Sequence, residues 1–301
     1  MIYLKHFGLE KAPFSLTADP SFYIDFIPHK EALEVITTAL SLGEGILKIS
    51  GEVGTGKTLL CNKLQAELSD QYLICNIDNP YLTAHELRCA LADKIGVEKE
   101  SFDEQFLLTG LIKKRLLTLL EQGKKVVVLV DEAQALPDST LEALRLFSNL
   151  ETASQKLLQV VLFAQPELDV RLAETKLRQL RQRITFSYQL RALSEKEIEH
   201  YIAQRLKQAG YCGALLFNSK VCRKISQASR GIPRLINILC HKILMISYGQ
   251  QHYKITCKIV KQAVEDTEDA YPVEKLQYWW VILFAFVLLN LFLFVWWKDL
   301  L

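Results

Sequence analysis

A short run of glycines constrains this chain more than any other feature. It follows the apolar segment Ile46–Ser50, precedes the helical pattern Lys57–Leu68, and fits GxxxxGK[ST] at every fixed position. Its residues are Gly51, Glu52, Val53, Gly54, Thr55, Gly56, Lys57 and Thr58. Glycines let backbone N–H groups converge on phosphate oxygens, and the N-terminus of the following helix adds partial positive charge. The run predicts a nucleotide phosphate site, in which Lys57 contacts the β- and γ-phosphates and Thr58 ligates Mg²⁺.

A pair of carboxylates is expected at the same site. Val126–Val130 is an unbroken run of valine and leucine, typical of a strand buried on both faces, and Asp131 and Glu132 follow it directly. The carboxyl ends of parallel strands meet at one edge of a sheet, which places this pair beside the phosphate loop. Asp131 would then hold Mg²⁺ through water, and Glu132 would polarise the attacking water, so hydrolysis is expected. The alternative is a surface acidic pair that caps the next helix.

Gln165 follows another buried strand pattern, Leu157–Ala164, and precedes Pro166. Its amide is expected to orient the water or to touch the γ-phosphate. An ordinary amide at the end of a strand is the alternative.

Several arginines are candidates for contacts with a nucleotide. Arg178, Arg181 and Arg183 crowd one turn before the last predicted strand. Arg183 or Arg181 is the candidate for an arginine finger supplied to a neighbouring subunit, and a solvated basic helix face is the alternative. Arg234 stands at the start of a helix opened by Gly231 and Pro233, and it is expected to point toward the γ-phosphate. The alternative for Arg234 is simple packing at the helix start.

Strands alternate with helices up to about residue 192, which predicts a parallel α/β sheet of the P-loop NTPase type. Beyond Leu193 we find only helical patterns, starting near Ser194, Asn218, Pro233 and Thr256, which predicts a small all-helical lid domain. The predicted divisions are a lead-in segment 1–45, an α/β nucleotide-binding domain 46–192, a helical lid domain 193–268 and a linker 269–278. The predicted strands are 46–50, 72–77, 126–130, 157–164 and 186–190.

The C-terminal segment Trp279–Trp297 contains no charged residue and has two tryptophans at each end. As a helix it would be roughly 28 Å long, about the thickness of a bilayer core. Indole rings favour the membrane interface, so we predict a transmembrane helix over 279–297 that acts as a tail anchor. Lysines on its N-terminal side favour a cytoplasmic location for the large domain. A buried core helix is the alternative.

The charge balance argues against nucleic acid as the main partner. The chain has 36 Lys and Arg residues against 34 Asp and Glu residues, which leaves little net charge for bulk binding of nucleic acid. The seven cysteines are dispersed and form no CxxC pair. This pattern favours reduced thiols in a reducing compartment over a disulfide framework or a zinc site.

Taken together, the motifs resemble the ExeA/GspA-type AAA+ ATPases over about residues 1–268, with the nearest likeness to the MshM-type branch that serves MSHA pilus biogenesis. Besides the phosphate loop, the motifs that carry the resemblance are Tyr3–Leu9, Pro13–Thr17, Asp19–Tyr23, His29–Leu33, Asp131–Gln134, Gln165–Leu168 and Gly231–Asn237. The resemblance implies ATP and Mg²⁺ as cofactors, a homo-oligomer, and functional roles for Asp131, Glu132, Arg234 and Arg183.

The same resemblance implies a role in building machines of the cell envelope, at the bacterial inner membrane. ExeA/GspA-like members act in type II secretion, where they help a secretin to assemble, and MshM-like members serve a mannose-sensitive type IV pilus. The expected partners are therefore pilus or secretion assembly proteins. ExeA/GspA proteins continue into a periplasmic peptidoglycan-binding domain, whereas this chain ends at Leu301, which favours the pilus-type role.

Two other functions remain open from the sequence. The first is a DNA-directed AAA+ regulator, against which the membrane segment and the lack of an evident helix-turn-helix argue. The second is a nucleotide-gated scaffold with little turnover, against which Glu132 argues. Binding to duplex DNA at several salt concentrations would separate the first from an envelope ATPase, and turnover measurements would separate the second.

Overall fold

The computed structural model describes residues 2–15, 26–98, 105–153, 155–272 and five positions beyond them, 283–284, 286–287 and 290. The strands in these ranges are β1 (Ile46–Ser50), β2 (Tyr72–Ile77), β3 (Lys125–Val130), β4 (Leu158–Ala164) and β5 (Ile184–Gln189). The helices are α1 (Leu4–Phe7), α2 (Ile27–Ser41), α3 (Lys57–Glu67), α4 (Ala84–Ile95), α5 (Gln105–Glu121), α6 (Asp138–Ser148), α7 (Glu167–Ala173), α8 (Arg178–Arg183), α9 (Glu195–Gln208), α10 (Ser219–Ser229), α11 (Pro233–Gly249) and α12 (Cys257–Glu265). Single 3₁₀ turns lie at Ala133–Ala135 and Thr175–Leu177.

Within these ranges, the five strands form one parallel sheet in the order β2-β3-β4-β1-β5. Every residue of β1 and β4 is buried, as expected for strands that are paired on both sides and covered on both faces. The register aligns Ser50 with Ala164, so β1 and β4 end together. The polar residues that follow β1, β3 and β4 are therefore brought to one edge of the sheet.

Two apolar layers cover the sheet. One face of β1, β3 and β4 packs against α2 and α3, through residues such as Leu47, Val127 and Phe163. The opposite face packs against the helices from α4 to α8, through residues such as Val128 and Leu162. Burying each large apolar side chain contributes roughly 1.5–3 kcal/mol, so the two layers together fix the sheet that positions the site.

One charged residue interrupts the apolar pattern of β1. Lys48 is buried and forms an ion pair with Asp169 in the first turn of α7. Since a buried ammonium needs a charged or hydrogen-bonding partner, this pair ties the helix that follows β4 to the strand that precedes the phosphate loop. No sequence pattern indicates this pair, because Lys48 and Asp169 lie 121 positions apart.

The described residues divide into two compact units. The α/β unit contains residues 26–193 together with Ile232–Arg234, and the helical unit contains residues 194–231 and 235–272. The first 45 residues, which the sequence suggests as one lead-in segment, are divided between them. Residues 26–45 belong to the α/β unit, whereas residues 2–15 belong to the helical unit.

Residues 2–15 are held within the helical unit by polar contacts as well as packing. Tyr3 is buried and shares a hydrogen bond of 2.9 Å with His241. The Arg205 guanidinium, also buried, donates to the carbonyl of Pro13. Because these contacts join positions about two hundred residues apart, the sequence pattern does not reveal them.

Most element boundaries agree with the sequence patterns to within two residues. Thr83 with Glu86 and Ser194 with Glu197 form capping boxes at the starts of α4 and α9, and the Asn218 side chain caps α10. β5 begins at Ile184 instead of at residue 186. The helices α1, α7 and α8 were not predicted, because segments of four to seven residues carry too little periodicity.

Among the described residues, none of the helices combines the length and the apolar character that crossing a bilayer requires. The segment 279–297, predicted as a transmembrane helix, lies outside the described residues except for five isolated positions.

Candidate active site

The phosphate loop, residues 51–58, leaves the end of β1 and leads into α3. Gly56 has φ 96° and forms the N-cap of α3, a conformation that favours glycine. The Lys57 ammonium donates to the carbonyls of Gly51 at 2.7 Å and Glu52 at 3.1 Å. Burial lowers the pKa of Lys57, while the charges of Glu132 and Asp131 act in the opposite direction. The loop thus concentrates one buried cation beside two carboxylates.

His29, on α2, contacts the phosphate loop through its side chain. Its Nε2–H donates to the carbonyl of Thr55 at 2.9 Å, and the side chain is buried. A Cβ atom on Gly56 would lie 2.9 Å from the imidazole ring, so the histidine and the glycine fit together closely. Sequence reasoning did not assign a role to His29, although the residue lies in one of the motifs that carry the family resemblance.

Arg234 reaches the loop through its backbone. Its N–H donates to the carbonyl of Gly54 at 3.2 Å. A Cβ on Gly54, which has φ +81°, would lie only 2.6 Å from the Cβ of Arg234. Packing at the start of α11, one of the two expectations for this residue, is therefore present. The arginine is exposed, and its role toward a γ-phosphate stays a prediction.

The carboxylate of Asp131 lies next to the phosphate loop, as the topology predicts. The Thr58 hydroxyl donates to Asp131 Oδ2 at 2.6 Å, and Asp131 Oδ1 accepts the backbone N–H of Glu132 at 2.9 Å. A hydroxyl and a carboxylate in contact provide the hard oxygen donors that Mg²⁺ prefers. The residues present therefore fit a magnesium ion.

Glu132 begins what we call the acidic turn, residues 132–136. Its backbone has φ 53° and ψ 39°, a left-handed conformation that costs a non-glycine residue about 1–3 kcal/mol. Its Oε2 accepts hydrogen bonds from the side-chain amides of Gln165, at 2.7 Å, and of Gln134. The structure thus brings Gln165 to Glu132, and both residues lie at the carboxyl edge of the sheet.

Arg171, on α7, holds the far end of the acidic turn. Its guanidinium donates to the carbonyls of Gln134 at 2.6 Å and Leu136 at 2.9 Å, and it also pairs with Asp138. Hydrogen bonds to the carboxylate of Asp138 lower its pKa, the one from Lys176 more than the one from Arg171. Gln134 and Arg171 have no role in the sequence-based interpretation, although Gln134 lies in one of the motifs that carry the family resemblance; no local pattern links Arg171 to Glu132.

The arginine cluster lies apart from these residues. Arg178, Arg181 and Arg183 belong to α8 and are exposed. α8 precedes β5, and β5 is parallel to β1, so Arg183 lies at the amino edge of the sheet, opposite the phosphate loop. Within one chain the structure does not bring Arg183 or Arg181 to the site. A contact with a nucleotide would have to be made by a neighbouring subunit.

The comparisons with known proteins agree with this site. Residues 41–172 match the family described as AAA domain. The chain is 41% identical over 254 residues to General secretion pathway protein A of Aeromonas hydrophila. The match covers 84% of this chain but 46% of that protein, so the chain spans about half the length of this relative.

Solved structures with much lower sequence identity share the fold. Cdc6p of Pyrobaculum aerophilum matches with a TM-score of 0.59 at 14% identity, over 83% of this chain and 71% of that one. The ORC1 protein of Aeropyrum pernix, solved in complex with DNA, matches with a TM-score of 0.57 at 19% identity, over 85% and 69%. At such identities the likeness indicates the fold alone.

Proposed function

We propose that this chain is an AAA-type ATPase that couples ATP hydrolysis to assembly of a secretion apparatus in the bacterial envelope, a proposal supported by the AAA-domain match and by the similarity to General secretion pathway protein A. One observation carries the enzymatic part of the proposal. The acidic pair Asp131 and Glu132 lies against the phosphate loop, with Thr58 in direct contact with Asp131. Binding and hydrolysis residues therefore occupy one edge of one sheet.

ATP and Mg²⁺ are the cofactors of such an AAA domain. The backbone N–H groups of the phosphate loop bind the phosphates, and Lys57 neutralises the β- and γ-phosphate oxygens after exchanging its carbonyl partners for them. The Thr58 hydroxyl and, through water, Asp131 would hold the magnesium ion. Bound there, the ion neutralises charge on the β- and γ-phosphate oxygens.

Glu132 acts as the base. Its carboxylate accepts a proton from a water molecule whose oxygen forms a bond to the γ-phosphorus, and the bond from that phosphorus to the β–γ bridging oxygen breaks. ADP and inorganic phosphate are the products. Gln165, which contacts Glu132, is placed to orient the same water or to touch the γ-phosphate.

Completion of the site in an oligomer is part of the proposal. Arg183 or Arg181 of one subunit would stabilise the charge that develops on the γ-phosphate of a neighbour, since neither reaches the site of its own chain. Arg234 would sense the γ-phosphate from the start of α11. ATP-dependent association is the expected consequence.

The envelope role is supported by the relationship to General secretion pathway protein A and by the apolar segment 279–297. We propose that this segment anchors the ATPase in the inner membrane with its α/β unit in the cytoplasm. Secretion is the process that the relative's name suggests, and type II secretion is the form of it that the motif resemblance implies. A type IV pilus of the MSHA type is the narrower alternative, supported by the motif resemblance.

The enzymatic proposal is tested by ATP turnover of the full chain, with Lys57→Ala beside Lys113→Ala. Lys113 is an exposed lysine of α5 and controls for the loss of a charge. We expect turnover and ATP binding to be lost in Lys57→Ala alone, and association to depend on ATP in the wild type. Tight ATP binding without turnover in the wild type would instead indicate a nucleotide-gated scaffold.

The cellular proposal is tested in the host by removing the chain and restoring either the wild type or Lys57→Ala. Loss of protein secretion that only the wild type restores would support the secretion role, and loss of surface pili alone would support the pilus role. Salt-sensitive, tight binding of the purified chain to duplex DNA, with both processes intact, would favour a DNA-directed regulator.

A further inference from the structure

Gln134 is a polar residue of the site to which the proposed reaction gives no role. It lies on the 3₁₀ turn Ala133–Ala135, two positions after Glu132, and is half-buried. Both ends of its amide are engaged. Nε2–H donates to Glu132 Oε2, and Oε1 accepts the backbone N–H of Gln165 at 3.0 Å.

The orientation of this amide follows from chemistry. The backbone N–H of Gln165 can only donate, so the amide oxygen of Gln134 must face it. The amide nitrogen then faces the carboxylate of Glu132, which can only accept when it is ionised. An amide is thus the group that satisfies both neighbours in this position.

The two amides that bind Glu132 differ in how they are held. The side chain of Gln165 makes one hydrogen bond in the described part of the chain, to Glu132, so a turn toward a phosphate would break that bond alone. Gln134 is fixed at three points. Its side-chain oxygen accepts the backbone N–H of Gln165, which directly follows β4, and its side-chain nitrogen donates to Glu132. Its backbone carbonyl accepts from Arg171 at 2.6 Å.

Both amides donate to the same oxygen of Glu132. Within the described part of the chain, Oε1 of this carboxylate accepts no hydrogen bond. Because Oε2 of this carboxylate is fixed and Oε1 is open, a water molecule can bind at Oε1 in a defined orientation. General-base catalysis depends on such an orientation, because the base must lie within hydrogen-bonding reach of the proton that it removes.

We infer that Gln134 is a positioning residue for hydrolysis, which orients Glu132 by donating to Oε2 and keeps it oriented when Gln165 turns toward the γ-phosphate. The inference rests on the proposed ATP hydrolysis and not on the proposed envelope role. It assigns to Gln134 an effect on the chemical step and none on nucleotide binding.

The test compares Gln134→Glu with Gln134→Ala in the full chain, by kcat, by the Kd for ATP and by the thermal midpoint. When ionised, the glutamate keeps the shape of glutamine and still accepts from the Gln165 N–H, but it cannot donate to Glu132 and adds a like charge beside it. We expect kcat to fall about 10-fold or more in both variants, the size expected when a hydrogen bond to a charged group is lost. The Kd for ATP should stay within about twofold, because in the described part of the chain Gln134 makes no hydrogen bond with the phosphate loop.

Gln122→Glu supplies the matched control, since Gln122 is exposed beyond the end of α5. Full activity in Gln134→Glu with reduced activity in Gln134→Ala would overturn the inference, because the residue would then only satisfy the Gln165 backbone. A higher kcat in either variant would also overturn it, since the contact would then restrain the base. A wild-type chain without turnover would overturn both this inference and the proposed hydrolysis.

Discussion

The phosphate loop and the acidic turn lie side by side, but different kinds of contact hold them. The side-chain hydrogen bonds made by Thr55 and Lys57 within the loop join residues only three to six positions apart. The hydrogen bonds that hold the acidic turn through Gln165 and Arg171 join residues 31 to 37 positions apart. These side chains of the loop therefore bond within the loop, which His29 and the backbone of Arg234 support from outside, whereas the side-chain bonds of the turn come from β4 and α7.

This difference separates binding from chemistry. A loop whose lysine is held by the loop's own carbonyls is expected to bind phosphate without depending on the acidic turn. A turn held by distant side chains is sensitive to whatever moves β4 or α7. We expect lesions in the acidic turn to slow hydrolysis without weakening ATP binding, and lesions in the loop to affect both.

The largest expected effect comes from Glu132→Gln. An amide oxygen can still accept from Gln134 and Gln165, so the turn should keep its shape while the base is lost. We expect kcat to fall about 100-fold or more, the size typical of a lost general base, with the Kd for ATP unchanged. Single-turnover hydrolysis and ATP binding measure the two quantities. Glu121→Gln, at the exposed end of α5, is the control. If Glu132→Gln weakened ATP binding as much as it lowered kcat, the separation of binding from chemistry would be wrong.

An intermediate effect is expected from Gly54→Ala, compared with Gly43→Ala. Both glycines have φ +81°, so the backbone strain of an alanine is shared. At Gly54 the new Cβ would meet the Cβ of Arg234 at 2.6 Å, whereas at Gly43 no atom lies within 4 Å. We expect Gly54→Ala to lower the free energy of unfolding by about 1–3 kcal/mol more than Gly43→Ala, measured by denaturant titration. Equal losses would mean that the loop does not depend on Arg234.

The smallest effect is expected from Asp138→Asn, which loosens the anchor of the acidic turn. The folded protein holds the pKa of Asp138 below its usual value, mainly through Lys176 and then Arg171. Its contribution to stability is therefore present above about pH 4 and is lost as the pH falls through the lowered pKa. We expect a loss of at most about 1 kcal/mol at pH 7, since the carboxylate is partly exposed to solvent, and a smaller loss near pH 3. Unfolding titrations at both pH values measure it, with Asp269→Asn as control. If the difference in unfolding free energy between Asp138→Asn and the wild type were the same at both pH values, the lowered pKa of Asp138 would be contradicted.

The sequence predicts the sheet and the phosphate loop well because both depend on local patterns. Val126–Val130 reads as a buried strand, and the glycine run fixes the turn after β1. Parallel topology then places Asp131 and Glu132 beside the loop, where Thr58 contacts Asp131. Each of these steps needs only a short stretch of residues and a general rule of parallel sheets.

The rest of the site depends on contacts that no short stretch contains. His29 reaches Thr55 across 26 positions, and Arg171 reaches Gln134 across 37. The left-handed backbone of Glu132 has no sequence signal either, because glutamate does not favour that conformation. Arg183 is a different case: its residue type suggests a finger, and only the strand order reveals that it lies at the far edge of its own sheet.

The strand order has a consequence for how fluctuations reach the site. The phosphate loop, the acidic pair and Gln165 follow β1, β3 and β4, which are neighbours in space, and in the described part of the chain the sheet ends at β2 and β5. Local opening of a sheet begins at its margins, where hydrogen bonds have the least support. Either margin can therefore fray while the three inner strands keep their hydrogen bonds. We expect the backbone amides of the functional residues to become accessible to hydrogen exchange together, as one cooperative unit.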